Sequence, residues 1–260
     1  MESYASESLR TIFKDSNKRQ KYQKQIGSFT IKFADCLDEL SQVFKLRYES
    51  FWGKTHEDKW DVDLFDIVAD HLIIIDDNTD QVVGTYRLIH SKETQIFYSQ
   101  TEFNMGSILN LEGSKVECGR ACIHKDYRNG STIALLWQGL GDYIINNNIR
   151  WMFGCSSIKS SQVQQIRLIH QFLIENHLVS QELIAHPQNP ATINQLKILN
   201  NKEERLASRI LPPLLRTYLK LGAKICGHPH LDEEMNCFDY LTLLDTRVLN
   251  TDFEKRFCSN

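Results

Sequence analysis

The chain has 260 residues, 42% of them hydrophobic and 24% charged, an ordinary globular composition with length for one large core or two modest ones. A net charge of −3 with both signs mixed along the sequence gives no support to general nucleic-acid binding. Seven cysteines without recurring Cys-x-x-Cys spacing, and a start that does not read as a signal peptide, point to reduced thiols in a cytoplasmic setting. The longest apolar run, Leu72 to Ile75, is far short of the roughly 20 residues that cross a bilayer.

Residues 1–27 read as a polar arm, and residues 28–260 as a single domain with a C-terminal extension from about residue 180. Ser28 to Phe33 alternates weakly as a strand would. Leu37, Leu40, Val43, Phe44 and Tyr48 fall at helical spacing, which predicts a helix over Cys36 to Phe51. Trp52 to Asp66 is irregular and rich in aspartate. His71 to Ile75 and Val82 to Ile89 are apolar runs joined by Asp76-Asp77-Asn78-Thr79-Asp80, a hairpin signal. After a polar, partly helical connection, Val116 to His124 reads as a strand, Asp126 to Ser131 as a turn, and Thr132 to Ile145 as a periodic helix. Trp151 to Cys155 reads as a short strand and Gln162 to Leu178 as an amphipathic helix. Pro187 and Pro190 interrupt residues 180–208. Leu211 to Leu221 resumes helical spacing, Phe238 to Leu244 is a strand, and a last helix is expected from Thr246. This order predicts an α/β fold: a mixed sheet with helices on both faces.

The chemistry concentrates in Val116-Glu117-Cys118-Gly119-Arg120-Ala121-Cys122-Ile123-His124 and the turn that follows it. Glu117 and Arg120 stand three apart on one strand, so they share a face only across a bulge, for which Gly119 is the natural place. A carboxylate beside a cation can serve as base for an ammonium group; a plain ion pair is the alternative. In the turn, Arg128, Asn129 and Gly130 precede a helix, where backbone N–H groups can meet a phosphate, or simply make an ordinary strand–helix connection. Upstream lie Arg47 and Phe51 on one helical face, Trp60, Asp63 and Asp66, and Arg87. Asp63 and Asp66 could hold a substrate ammonium, and the arginines could balance carboxylates or grip a substrate carboxylate. Cys226-Gly227-His228-Pro229-His230 matches no trusted zinc framework, so no metal is expected. His124, His170 and His177 read as packing or surface residues, and Leu211 to Lys224 as a core helix.

Taken together, Arg47–Phe51, Trp60, Asp63–Asp66, Arg87 and Glu117–Arg120 resemble the charged signature of acyl-homoserine-lactone synthases and N-acyl amino acid synthases. Residues 28 to 248 more closely resemble the ornithine–acyl-carrier-protein N-acyltransferase family, which includes hemolysin-like proteins. LRYESF (46–51), DLFDIVADHLIIID (63–76), VVGTYRL (82–88), FYSQTEFN (97–104), VECGRACIHKDYRNGSTIALLW (116–137), WMFGCSS (151–157) and the stretch 211–245 carry the likeness over about four-fifths of the chain. Cys118 and Cys122 depart from the apolar and small residues expected there.

The resemblance implies a GNAT-like fold: a mixed, mostly antiparallel sheet with splayed central strands, helices on both faces and a C-terminal α/β extension. It implies direct acyl transfer from the 4′-phosphopantetheine thioester of acyl carrier protein, in preference to acyl-CoA, onto an amino acid amine, ornithine first, in the cytoplasm. No permanently bound cofactor is expected. Glu117 would be the base, Arg120, Arg87, Asp63, Asp66 and Arg47 its charged surroundings, and backbone N–H groups near Ala121 and Cys122, past Gly119, would stabilise the oxyanion. A long acyl product must reach the membrane, so peripheral contact at its inner face belongs to the same expectation. Tyrosine, glycine, lysine or S-adenosylmethionine as acceptor, and a non-catalytic acyl- or partner-binding domain, stay open as rivals.

Overall fold

A computed structural model of the protein describes residues 22–53, 59–159, 163–194 and 198–249. The arm up to residue 21, part of the aspartate-rich segment and the end of the expected last helix lie outside them. In chain order the main elements are β1 Gln23–Ile26, β2 Phe29–Phe33, α1 Leu37–Trp52, β3 Asp70–Asp76, β4 Gln81–His90, β5 Phe103–Asn104, α2 Gly106–Leu109, β6 Ser114–Ile123, α3 Ser131–Asn146, β7 Ile149–Ile158 and α4 Val163–His177. There follow β8 His186–Pro187, α5 Asn201–Ile210, α6 Pro213–Lys220, β9 Lys224–Ile225, β10 His230–Asp232 and β11 Cys237–Asp245. No helix among the described residues is long and apolar enough to cross a membrane. The described chain divides into two compact units, one of residues 22–95 and 116–149, the other of residues 96–115 and 150–249.

In the first unit the strands run β1-β2-β3-β4-β6, each antiparallel to its neighbours. Side chains on a strand alternate between faces, and each face of this sheet takes one helix. Ile73, Ile75 and Val82 pack with Leu40, Val43, Phe44 and Leu46, so they bury the apolar stripe of α1. Leu72 and Ile31 face the other way, onto α3. A Cβ built at Gly139 of α3 would stand 2.7 Å from Leu72 Cδ1 and 2.9 Å from Ile31 Cγ2, which explains a glycine inside a helix despite its propensity cost. Gly53, in the left-handed region at φ 64°, ends α1 with its N–H bonded to the Glu49 carbonyl.

In the second unit β11 is central, antiparallel to β7 on one side and to β10 and β9 on the other, while β5 and β8 pair separately. Its core joins Ile158, Ile166, Ile169, Leu173, Leu211, Leu215, Leu219, Ile225 and Tyr240, so the core helix expected over Leu211 to Lys224 forms, but over the shorter Pro213–Lys220, with Lys224 already in β9. His170 is buried with Nδ1 3.0 Å from the Tyr240 hydroxyl, the packing role expected of it. Several elements went unpredicted, among them β1, α5 and the short strands β5, β8, β9 and β10. The strand β1 carries only Ile26 as an aliphatic residue, and α5 starts on a capping box in which Asn200 and Glu203 exchange side-chain-to-backbone bonds. The expected short strand at Trp151 to Cys155 is ten residues long.

Because Leu72 and Ile31 are fully enclosed beneath Gly139, added methyl groups have nowhere to go. Gly139→Val is expected to lower stability by about 1–3 kcal/mol. Urea unfolding followed by circular dichroism would show a lower midpoint at unchanged helical signal; an unchanged midpoint would mean that α3 does not press on the sheet there.

Candidate active site

The charged residues read from the sequence meet on the α1 side of the first unit's sheet. Arg47 is buried on α1, an unusual place for a guanidinium, and two aspartates fix it. Its Nη1 and Nη2 donate to Asp66 Oδ1 and Oδ2 at 2.7 and 3.2 Å, and its Nε and Nη2 donate to Asp61 Oδ1 at 2.8 and 2.5 Å. Asp66 closes a single 3₁₀ turn, Leu64–Ile67, whose cap is Asp63. The Asp63 carboxylate accepts from the Phe65 N–H at 2.9 Å, and Asp66 Oδ2 accepts from the Asp63 N–H at 2.8 Å. This reciprocal cap leaves one Asp63 face and one Asp66 oxygen for Arg87, whose Nη1 lies 2.8 and 2.7 Å from the Asp63 oxygens and 3.3 Å from Asp66 Oδ1.

Burial and charge explain the protonation of this group. Burial would push the Asp66 carboxyl up, but the guanidiniums of Arg47 and Arg87 outweigh it and hold the group well below the usual carboxylate range. Arg87 is likewise buried, and Asp66, Asp63 and Glu117 keep it charged. His71 on β3, opposite Arg87, places Nε2 3.8 Å from Asp66 Oδ1. Asp66 has no exposed surface and both of its oxygens are engaged, so its work is to hold the two arginines, and a substrate ammonium would have to go elsewhere. Asp63 and Arg120, each 26% exposed at the side chain, are the members that solvent reaches.

The β4–β6 register supplies the bulge that Glu117 and Arg120 require. Thr85 pairs with Cys122 and Arg87 with Gly119, so two steps on β4 match three on β6. The residue in the left-handed region is Arg120 at φ 53°, not Gly119, which corrects the sequence expectation of where the backbone turns. Gly119 serves instead as the flat neighbour of Arg87: a Cβ there would lie 3.9 Å from Nη2. The extra residue resets the alternation, so Glu117, Gly119 and Cys122 share the α1 side. Arg120 is turned the same way, with Nε 3.2 Å from Asp61 Oδ1 and Nη2 3.5 Å from Asp63 Oδ2, and it lies over the Phe51 ring at 5.9 Å. Glu117 is buried, opposite Ile89. Trp60 packs against the α1 core, and its buried Nε1 has no hydrogen-bond partner among the described residues. Asp61, which binds both Arg47 and Arg120, was missed by sequence reasoning; its place between Trp60 and Asp63 was the available signal.

The bulge holds Ala121, while the Cys122 thiol is buried in the α1 core and pushed up to about 12 by that burial. Cys118 is also buried, and neither thiol is a nucleophile in this form. In the turn, Gly130 is left-handed at φ 82° with open space where a Cβ would stand. Asn129 Oδ1 accepts from the Ser131 N–H at 3.2 Å and the Ser131 hydroxyl at 2.6 Å, so the first donor of α3 is already capped. Arg128 donates from Nε to the Ile123 carbonyl at 3.0 Å.

The acetyltransferase (GNAT) domain family matches residues 41–138, the span from α1 to the first half of α3. An L-ornithine N(alpha)-acyltransferase of Agrobacterium fabrum (strain C58) is 30% identical over 243 residues, covering 85% of this chain and 82% of that protein. The protein of the same name from Rhizobium meliloti (strain 1021) is 34% identical over 200 residues, 72% of this chain and 67% of its own length. The chain belongs to the L-ornithine N(alpha)-acyltransferase family. Like other members it is an acyltransferase, with a GNAT-like fold. A CoA-dependent acyl-homoserine lactone synthase, whose structure is solved with SAM and isopentyl-CoA, shares the fold at a TM-score of 0.51 and 15% identity, over 85% of this chain and 82% of that one.

Since Asp66 is depressed on folding, its stabilising contribution is present above the ordinary carboxyl range near pH 4 and fades as pH falls below it. Asp66→Asn takes from two buried arginines the carboxylate they share, leaving Arg47 with Asp61 and Arg87 with Asp63, and is expected to cost about 3 kcal/mol at pH 7. Its stability should also fall less steeply than that of the wild type below about pH 4. Urea midpoints from pH 7 down to pH 3 test both; parallel curves would remove Asp66 from the centre of the network.

Proposed function

We propose that the protein transfers a fatty acyl group, with or without a 3-hydroxyl, from the pantetheine thioester of acyl carrier protein to the α-amine of ornithine, giving a lyso-ornithine lipid. The observation that carries this reading is a buried carboxylate, Glu117, on the same side of one sheet as three arginines, in a chain whose relatives bear the name L-ornithine N(alpha)-acyltransferase.

The amine of an amino acid is mostly protonated at neutral pH, so transfer begins with loss of a proton, which Glu117 accepts directly or through a water. The neutral nitrogen attacks the thioester carbonyl, a tetrahedral oxyanion forms, and the pantetheine sulfur leaves as the C–S bond breaks. Backbone N–H groups of the bulge at Ala121 and Cys122 meet the oxyanion. Arg120, partly exposed and steadied by Asp61, Asp63 and Phe51, grips the acceptor carboxylate. The Trp60 N–H, without a partner among the described residues, offers a further donor to the substrate. Arg47, Asp66 and Arg87 keep these groups in place. At the turn, Gly130 leaves room for the pantetheine phosphate, which would take the α3 donor that Asn129 now caps, with Arg128 adding charge.

Glu117→Gln keeps the shape and removes proton acceptance, so the transfer rate should fall by about 10²–10⁴ and recover in part at higher pH, where more acceptor is unprotonated. Arg120→Lys should raise KM for the amino acid without such recovery, since geometry is lost and no base is. The assay is transfer from acyl carrier protein thioester and from acyl-CoA to ornithine across pH, with circular dichroism as a folding check. A folded Glu117→Gln protein with the wild-type rate at neutral pH would make Glu117 a partner of Arg87 and nothing more.

A further inference from the structure

Three carboxylates and a thiol in the second unit play no part in the reaction above. β10 and β11 pair so that Asp232 stands opposite Cys237 and His230 opposite Asp239. Residues 237 and 239 are two apart on β11, so they share one face of the sheet with their cross-strand partners, while Tyr240 points the other way, into the core with Ile166 and Leu215. The hairpin thus reads Asp-x4-Cys-x-Asp over 232–239, with the turn 233–236 between its first two members. The ligand atoms of Asp232, Cys237 and Asp239 lie within 4.8 Å of one another, and the thiol is 3.6 Å from Asp239 Oδ2. Zinc bonds of about 2.3 Å to sulfur and about 2.0–2.2 Å to a carboxylate oxygen, at a tetrahedral angle, place the two donors about 3.5 Å apart. This pair already stands at that separation.

Cys237 and Asp239 are 2% and 3% exposed, while Asp232 is half-buried and leaves a way in for an ion. The Asp232 carboxylate is fixed from its own turn, with Oδ1 accepting the Met235 N–H at 2.9 Å and Oδ2 left over. That bond is one an ordinary turn makes, and it does not by itself call for a ligand. Two other atoms do. Asp239 Oδ1 is buried with no hydrogen-bond partner among the described residues, and so is Oε2 of Glu102, a side chain 5% exposed just before β5. Glu102 faces the same patch: the charges it feels are those of Asp239 and Asp232. No lysine or arginine among the described residues pairs with any of the three carboxylates. Buried acceptors with neither a donor nor a counter-charge cost free energy, and a cation removes that cost.

We infer that Asp232, Cys237 and Asp239 form a binding site for a divalent cation of the zinc class, with Glu102 beside the fourth position. The ion takes one oxygen from each aspartate and the Cys237 sulfur, whose proton leaves to solvent as the metal–sulfur bond forms. Glu102 stands outside the group of mutually close ligand atoms, so its part is to accept from a water in the fourth position and orient it. The sulfur donor decides against magnesium and calcium, which take oxygen ligands. His230 is not a ligand: its Nδ1 accepts the Asn189 N–H at 3.1 Å, which puts the ring proton on Nε2. The spacing within residues 226–230, which argued against a metal, does not bear on this site, because none of those five residues belongs to it. All four residues lie in the second unit, where the ion ties the β10–β11 hairpin to the segment before β5.

The test uses the tag-free full chain, stripped with a chelator and then dialysed against zinc chloride. Metal analysis should give one zinc per chain, and zinc should raise the thermal unfolding midpoint while magnesium should not. Cobalt(II) in place of zinc should show a near-ultraviolet thiolate-to-metal charge-transfer band. Cys237→Ser should lose that band, Cys237→Ser and Asp239→Asn should each lose the stoichiometric zinc, and Glu102→Gln should weaken zinc binding by about 10–100-fold. Asp239→Asn removes a buried, unbalanced charge, so it should fold at least as stably as the metal-free wild type, and its loss of zinc is then not a loss of fold. None of these readouts depends on acyl transfer. Absence of stoichiometric zinc, or zinc bound with unchanged affinity by Asp239→Asn, would overturn the site. So would a midpoint raised equally by magnesium, or a cobalt spectrum that Cys237→Ser leaves as it was.

Discussion

Asp66 sits where no water reaches it, on a turn of four residues, and remains ionised because two arginines from different elements close on it. Stripping hydration from three charges costs several kcal/mol apiece, and their attraction recovers it only when geometry is good and spare lone pairs are used. Here they are used: one oxygen takes Arg47 and Arg87, the other Arg47 and the Asp63 N–H. An apolar core of similar volume would be no less stable, so the network is better understood as a positioning device. It ties α1 to β4 through one carboxylate; Asp61 bonds Arg47, Asp63 bonds Arg87, and Arg120 in turn pairs with both of those aspartates.

The sheet beneath makes this possible by breaking its own alternation once. In a regular strand Glu117 and Cys122 would face opposite sides. The bulge puts both on the α1 side and turns Arg120, by a left-handed backbone that costs an arginine of order 1 kcal/mol or more, toward Asp61 and Asp63. That such a conformation falls on an arginine flanked by two aspartates, when a glycine stands next to it, indicates that the ion pairs hold the backbone there.

Much of this was legible in the chain. The helix over Cys36 to Phe51, the hairpin and the strand at Val116 all announce themselves by periodicity, and the spacing of Glu117 and Arg120 lets them share a face only across a bulge. What escaped notice had physical reasons. The strand β1 has no apolar run because it lies at an edge, and α5 exposes most of its surface, leaving only its capping box to be seen. The reading of Asp66 as a partner for a substrate ammonium did not count acceptors: Arg47, Arg87 and the Asp63 N–H take both of its oxygens, whereas Asp63 keeps a partly exposed side chain.

The bulge also fixes how this stretch of chain can change over time. Substitutions at Ala121 alter one small side chain, but loss or gain of a single residue between Gly119 and Cys122 would restore plain alternation. Either the segment carrying Glu117 or the segment leading into the turn at Arg128 would then rotate to the opposite face. The strand therefore counts residues as well as reading them. Descendants of this sequence can drift in composition here, while the number of residues from Glu117 to Cys122 should stay constant as long as the charged set is kept.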